Sequence, residues 1–586
     1  MNTSSPVAFS CRRSVRPFLL SSVIAGLPVL LLDVPARADT APNANIHHYP
    51  QTPEEYRPSA ATASSPVKPP RKGFWDNTRL LPPLESRPES YAQPQNLALP
   101  AQTPASLLHQ GQWGIFNSNT GAASGWGTVG YYAVSRWAED WSNLRDPKNR
   151  IDIMDPVKYI PLNDSGSIYL TFSGNFRQHN FYDQRAGFGQ TKKDPAYRQN
   201  LRWNLGADLH LGQHVRLYGE LMSGQAGGVN YYGYNNGRWR NNLDAQQAFV
   251  EFKGRLLHAN MGVIVGRMTF LDAPPWFTAG SVYPSIPFSW NGIRAYSFWK
   301  NFRADFFDLT LTNWSTANVP FHNQVGYKTR MFGAYTSYAA PSFKFLGKKS
   351  QVFIDTYYIG FLLASAPIAG QTGTIAGSTR RDMPGMRVWG NAGPIEFSLG
   401  GAWQGGYFNT AKNGPSRPVS AYAFTSQVAW RFAKWWGRPA LGMQADIFSG
   451  GNYNKSSTGS WGSFMTPFVP SAYYLDISTY LGDQNLIDVG PMVTLTPTPN
   501  TTLIMKVPVV WRASTNDALY ASGTAAYGLR PHGGYTATLP QASFTWRATR
   551  HITFSIDGEY IFASKSMINA GASSGAYVQS NLELTF

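Results

Sequence analysis

Leu201-Arg202-Trp203-Asn204-Leu205-Gly206-Ala207-Asp208-Leu209-His210-Leu211, a turn at Gly212-Gln213, then Val215-Arg216-Leu217-Tyr218-Gly219-Glu220-Leu221-Met222 is the stretch that decides the fold. Every second residue of the first half is apolar, and Arg202, Asn204, Gly206, Asp208 and His210 stand between. The second half alternates in the same way. Successive side chains of a strand point to opposite faces, so this is a hairpin with one greasy face and one charged face.

The same period recurs along the chain. Ile168, Leu170, Phe172, Gly174 and Phe176 alternate with Tyr169, Thr171, Ser173, Asn175 and Arg177. Similar runs start at Ile395, Leu503 and Ile552, and Asn260–Met268 is ambiguous in phase. Pro508 interrupts the Leu503–Trp511 run and predicts a bulge or strand end there. The final run alternates Ala576, Val578, Ser580, Leu582, Leu584 and Phe586 with polar neighbours, and the sequence stops on that aromatic. Such an ending is similar to the assembly signal of bacterial outer-membrane barrels.

Composition points the same way. Aromatic residues make up 14% of the chain, with 19 Trp and 31 Tyr, whereas charged residues are only 14%. A soluble domain carries roughly 25% charged residues. No later run approaches the ~20 apolar residues of a spanning helix. Strands with one face to lipid, one to water and aromatic girdles at both interfaces need this mixture. Arg12, Arg13 and Arg16, the apolar Phe18–Leu32 and the A-x-A site Ala36-Arg37-Ala38 predict a signal peptide over residues 1–38. The one cysteine, Cys11, leaves with it, so the mature chain is expected to have no disulfide. The net charge is +17, which favours an anionic partner.

Residues 39–110 carry a proline every few positions and predict a disordered periplasmic arm. Gly73-Phe74-Trp75-Asp76 is a short docking motif or a plain spacer. His47-His48 has no nearby ligand partner and reads as solvated. Residues 111–586 are expected to form the transmembrane barrel, with strands from about Trp113. At roughly 26 residues per strand and turn, the length after the arm gives about 16–18 strands. A barrel of that size encloses an aqueous lumen. Gly224–Asn242, Ser449–Gln484 and the interval around Gly360–Thr379 are expected to be outer loops, folded inward or facing outward.

Ordered motifs from Trp137 onward resemble the alginate export porin family of bacterial outer membranes. They include Trp137-Ala138-Glu139-Asp140-Trp141 and Asp155-Pro156-Val157-Lys158-Tyr159-Ile160-Pro161-Leu162. Further matches are Leu205–Gly212, Ala245-Gln246-Gln247-Ala248-Phe249-Val250, Gly266-Arg267, Asn291-Gly292-Ile293-Arg294, Phe464–Pro470 and Trp511–Asp517 with Tyr520. The resemblance implies 18 strands, one chain per pore and an arginine-lined constriction for an anionic uronate polysaccharide. It departs from the family's pattern at Met268-Thr269, at Asn291 and at Ser449-Gly450-Gly451.

Phase alone puts Arg177, Arg202, Arg216, Lys506 and Arg512 on the inner wall, with Arg294 and Arg387 in like position. Lys158 and Arg267 join them through the motifs. A guanidinium stays charged at working pH and forks onto carboxylates. Asp208, Glu220, Glu396, Asp517 and Glu559 are expected to pair with these cations, and the set predicts a charge-selecting pore. Gly571-Ala572-Ser573-Ser574-Gly575 matches G-x-S-x-G, but in a small-residue loop without an elbow, so no catalytic residue is assigned. No metal site, cofactor or nucleic-acid motif is expected.

The reading is therefore an all-β outer-membrane porin for passive export of an alginate-like exopolysaccharide. Its partners are the polymer, outer-membrane lipid and lipopolysaccharide, and periplasmic export proteins. A small-solute porin and a sugar-binding surface barrel are the alternatives.

Overall fold

The computed structural model describes most of residues 132–586. Within that span 133–135, 140, 151, 191–194, 231–236, 258, 271–272, 275, 278–284, 300–301, 316–318, 342, 371–372, 410–415, 453–458, 469–473, 499–500 and 522–526 are outside the description. The expected signal peptide, proline-rich arm, docking motif and His pair lie outside the described residues.

Eighteen antiparallel strands close on themselves. They are β1 (Ile168–Asp183), β2 (Ala196–Leu211), β3 (Val215–Val229), β4 (Asn241–Leu256), β5 (Ala259–Met268) and β6 (Trp290–Phe298). Then follow β7 (Phe302–Asn313), β8 (Gln324–Ala339), β9 (Lys348–Gly370), β10 (Gly373–Ala392), β11 (Ile395–Asn409) and β12 (Ala421–Arg431). The circle finishes with β13 (Ala440–Phe448), β14 (Leu486–Leu495), β15 (Thr501–Lys506 with Val509–Trp511), β16 (Tyr535–Thr538 with Gln541–Arg547), β17 (Ile552–Ala563) and β18 (Gly575–Thr585). Strand β18 pairs with β1 from Asn175↔Thr585 to Asp183↔Tyr577, which shuts the barrel.

The opening hairpin forms as its alternation demands. Leu211 pairs with Val215 around Gly212, whose φ of 69° suits a residue without a Cβ. Trp203 and Leu205 are exposed on the outer face, Leu209 shares their phase, and Arg202, Asp208 and His210 are buried. The break at Pro508 divides β15, and Leu539-Pro540 divides β16 opposite it, so the two defects share one gap in the ladder. Asn260–Met268 resolves as β5, with Ile264 and Met268 turned inward.

One expectation needs correction. The small, polar interval around Gly360–Thr379 is not a loop. Its residues continue β9 and β10, paired as far as Gly370↔Gly373, because neighbouring ladder bonds override weak strand propensity. The expected start of the strands near Trp113 lies outside the described residues, and the first described barrel strand is β1. Before it, Arg136–Ala138, Ser142–Arg145, Pro147–Asn149 and Asp155–Lys158 are short helical turns. This segment packs against inward-facing residues: Trp137 lies 5.3 Å from Phe249, and Tyr159 lies 4.7 Å from Tyr169.

The last residue seals the seam. Phe586 N–H donates to Gly174 O at 3.0 Å, and Gly174 N–H donates to Phe586 O at 2.9 Å. Its ring covers Gly174, where a Cβ would overlap it. Replacing Phe586 with Asp, or Gly174 with Val, is expected to lower the heat-modifiable folded barrel in the outer-membrane fraction while export across the inner membrane continues. Unchanged folded protein in both variants would contradict the seam's role.

Candidate functional site

The short turns, such as Gly212 and Gly393, lie at one end of the barrel with both ends of the described chain, and the long connections lie at the other. Two of these connections fold into the lumen. Between β5 and β6, Trp276 packs 5.8 Å from Phe464 and 6.0 Å from Phe448, and Phe277 lies 5.7 Å from Phe361. Between β13 and β14, Phe468 meets Phe277 at 5.5 Å and Trp290 at 5.1 Å. Phe361, Phe448 and Trp290 belong to the inner phase of their strands, so the aromatic contact closes across the interior. The aromatic loop at Ser449–Gln484, whose direction the sequence left open, therefore points inward at its described residues.

Side chains of the wall hold this loop. Gln404 Nε2 donates to Met465 O at 2.8 Å, and Gln404 Oε1 accepts from Met465 N–H at 3.0 Å. Arg381 donates to Gln404 Oε1 and to Ser463 O, both at 2.7 Å. Asp517 accepts from Gly451 N–H and Ser463 Oγ at 2.5 Å each and from Tyr520 OH at 2.8 Å. Arg512 donates to the carbonyls of Thr515, Asp517, Pro531 and Gly533 at 2.6–3.2 Å. Arg512 and Asp517 thus organise the outer loops. Asp517 meets Arg512 through its backbone carbonyl.

The other candidates sit in buried clusters on the inner wall. Arg177 of β1 and Arg202 of β2 are direct cross-strand partners, with Glu583 opposite Arg177 on the far side. Arg202 Nη2 donates to Asn175 at 3.2 Å, while its Nε and Nη1 have no hydrogen-bond partner among the described residues. Arg198, two inward positions further along β2, has its guanidinium carbon 4.0 Å from both the Phe181 and Trp239 ring centres. Asp208 meets His210 at 3.1 Å and Arg216 at 3.5 Å, and Arg216 reaches Glu251 at 3.3 Å. Arg216 also donates to the Trp137 carbonyl, which anchors the N-terminal segment.

Arg294 binds Asp305 at 2.8 Å, and Arg303 takes the other oxygen of that carboxylate. Arg387 forks onto Asp355 at 2.6 Å, and Tyr335 OH and Trp389 Nε1 donate to the same oxygen at 2.8 Å each. Arg431 pairs with Glu396 at 2.5 Å. Arg267 donates to Ala245 O at 2.8 Å and to Asn291 at 2.9 Å, with Asp244 at 3.7 Å. Lys158 lies 3.5 Å from Glu139 and 5.1 Å from the rings of Tyr132 and Trp141. Burial pushes its ammonium below the usual lysine range, against the pull of Glu139.

A carboxylate-rich wall faces Lys506. Asp446 and Asp488 are cross-strand partners, and Gln444 bridges them at 2.9 and 3.4 Å. Lys506 donates to Tyr474 O at 2.9 Å and Gln444 at 3.3 Å. Glu559 accepts from Ser478 N–H at 2.8 Å rather than from an arginine, and Glu220 accepts from Asn204, Tyr218 and Gln247. Of the five acids expected to pair with basic side chains, Asp208 and Glu396 form the short ion pairs. Alternation fixes the face of a side chain but not its partner, and an inward loop supplies donors that the strand pattern does not contain.

In that loop Asp476 accepts from Ser478 Oγ at 3.0 Å and Tyr480 N–H at 2.9 Å. Burial raises its carboxyl to about 6, and Asp483 is pushed well up by burial and its acidic neighbours. The docked loop therefore binds a proton that the released loop gives up. Docking is fully favoured below the ordinary aspartate range near pH 4, and loses strength as pH rises through about 6. Amide exchange over residues 474–485, corrected for intrinsic rate, is expected to show opening that grows as pH rises from about 4 through 6 and goes on growing above it while Asp483 loses its proton. Opening that falls as pH rises would contradict this.

Asp305, Asp355, Arg198, Arg303 and Arg381 escaped the sequence reading. Arg198 shares the parity of Arg202, so extending that strand's pattern by two pairs finds it. Asp355 shares the parity of Tyr357 and Phe361 within an apolar run, where a lone acid is the signal. Gly571–Gly575 follows the short helix Lys565–Asn569; Ser573 N–H donates to Phe188 O at 2.8 Å, and Ser574 Oγ accepts from Ala563 N–H at 3.0 Å.

A closed barrel of 18 strands, apolar outside and polar within, defines the protein as a porin of the bacterial outer membrane. A family model described as Alginate export matches residues 168–581, and the chain belongs to that family. No curated protein sequence matches it. Among solved structures, a BenF-like porin from Pseudomonas fluorescens Pf-5 is 11% identical with a TM-score of 0.42, over 71% of this chain and 98% of that one. Pseudomonas aeruginosa OccK2 (OpdF), solved with glucuronate, is 10% identical with a TM-score of 0.44 over 71% and 98%. Pseudomonas aeruginosa OpdK, solved with vanillate, is 8% identical with a TM-score of 0.42 over the same shares.

Proposed function

We propose that the lumen passes an anionic, uronate-bearing polysaccharide outward by passive diffusion, past an arginine-bearing inner wall. The reading rests on the Arg177–Arg202 cross-strand pair, with Arg198 beside it. Like charges directly opposite on a sheet repel, so such a pair costs stability. One carboxylate, Glu583, faces this pair from the next strand, and an anion in the lumen adds to it, because desolvated guanidiniums bind carboxylates through short, charge-assisted hydrogen bonds. Membership of the alginate export family supports a polysaccharide cargo.

Arg294, Arg387, Arg267 and Lys158 are assigned to the path with their acidic partners, which keep them oriented and weaken polymer binding enough for release. Arg216, Asp208, Glu396 and Lys506 complete that wall, and Arg512 and Asp517 fix the outer loops. Polysaccharide and outer-membrane lipid are the partners, and periplasmic export proteins would deliver the polymer. The protein carries out no chemistry in this reading.

A small-solute porin is the second reading, and the aromatic contact across the interior favours it. Ion preference tests the cationic wall. The reconstituted channel is expected to give an anion-preferring reversal potential in a potassium chloride gradient. A cation-preferring wild-type channel would overturn the reading.

A further inference from the structure

We infer that the outer face of β7–β10 is a binding site for the phosphorylated headgroup of an outer-leaflet glycolipid, lipid A. Most outward residues of the barrel are apolar or aromatic. This sector differs. Asp308 and Arg330 form a two-pronged pair at 2.7 and 2.5 Å, with side chains 44% and 51% exposed. Arg380 lies 3.7 Å from Asp382 and is 47% exposed, and Tyr358 OH donates to the same acid at 2.5 Å. These residues alternate with buried Leu309, Met331 and Arg381, so they point away from the lumen.

The register brings them together. Arg330 and Arg380 both pair with Leu362, one from each side, so the two guanidiniums share one level. Phe332 lies between them, with the guanidinium carbons 5.3 and 5.9 Å from its ring centre. Lys328 is exposed one outward step further towards the long loops. The island thus carries three cations against two carboxylates, and each carboxylate holds one guanidinium while leaving about half of it open.

Height identifies the layer. Leu362 is ten residues along β9 from Val352, near the short-turn edge. At about 3.3 Å per residue and a tilt of ~40°, that places the arginines about 25 Å above it, the height of the apolar band. They therefore lie where the headgroups of the outer leaflet begin. In a bacterial outer membrane that leaflet is built of glycolipid with phosphates on a sugar pair. A charge facing hydrocarbon is costly, and an arginine facing a phosphate makes forked, charge-assisted bonds. Elsewhere the exposed residues include aromatics such as Tyr182, Tyr197 and Phe562.

The test is retention of defined lipids by the purified full chain, read by native mass spectrometry. The probes are lipid A with two phosphates, lipid A stripped of phosphate, and phosphatidylglycerol. The wild-type chain is expected to retain the bisphosphorylated form at about tenfold lower concentration than either other probe. Arg330→Gln with Arg380→Gln is expected to erase that preference, while Arg330→Lys with Arg380→Lys keeps most of it. Equal retention of phosphate-free lipid A, equal retention of phosphatidylglycerol, or an unaltered preference in the glutamine variant would each overturn the assignment. So would a glutamine variant that changes self-association and not lipid retention, which would make this face a contact between copies. If the glutamine variant fails to fold, the comparison of probes on the wild-type chain still decides.

Discussion

Replacing Arg177 and Arg202 together by Glu is expected to turn an anion-preferring channel into a cation-preferring one. The two side chains are cross-strand partners on the inner face, so the exchange moves about four charge units within one small area of a low-dielectric wall. Glu583 beside Arg177 would then join two new carboxylates instead of facing two cations. The neutral variant, Arg177→Gln with Arg202→Gln, is expected to give an intermediate reversal potential. Heat modifiability of both variants separates a change of selectivity from a failure to fold. A folded glutamate variant that keeps the wild-type preference would remove the cationic wall from the ion path.

The second large effect concerns closure of the interior. Trp276→Ala with Phe468→Ala deletes rings that meet Phe464, Phe448, Phe277 and Trp290 at 5.1–6.0 Å. Losing a buried aromatic costs ~3–5 kcal/mol where the neighbours cannot refill the space. Here the cost falls on loop docking, because the strand ladders run outside these contacts. Single-channel conductance is expected to rise several-fold with the barrel still heat-modifiable. Conductance equal to wild type in a folded double variant would show that the aromatic contact does not limit the path.

Much of this was legible in the sequence because a barrel repeats one rule. The Leu201–Met222 hairpin fixed lipid-facing Trp203 and Leu205 against buried Arg202 and Asp208, and the same parity located Arg177, Arg294 and Arg387. Pro508 announced a gap in the ladder, which the structure matches with Leu539-Pro540 on the next strand. Three things did not follow from parity. Partners did not, since Glu559 and Asp517 are satisfied by loop groups such as Ser478 N–H and Gly451 N–H. Loop direction did not, since Phe464 and Phe468 suit either an outer surface or an interior. The role of Arg512 did not, since its four carbonyl acceptors come from a turn whose shape no periodicity encodes. The acidic wall at Asp446 and Asp488 was missed for a related reason: two acids opposite each other belong to strands separated by a long loop.

The central claim is that the lumen carries a polyanionic sugar chain. Release of size-matched oligosaccharides trapped in liposomes bearing the wild-type barrel tests it most directly. Uronate oligomers are expected to escape markedly faster than neutral oligomers of equal length, and the Arg177→Glu, Arg202→Glu barrel is expected to lose that preference. Equal escape of charged and neutral oligomers, or retention of both while small ions pass freely, would contradict the account.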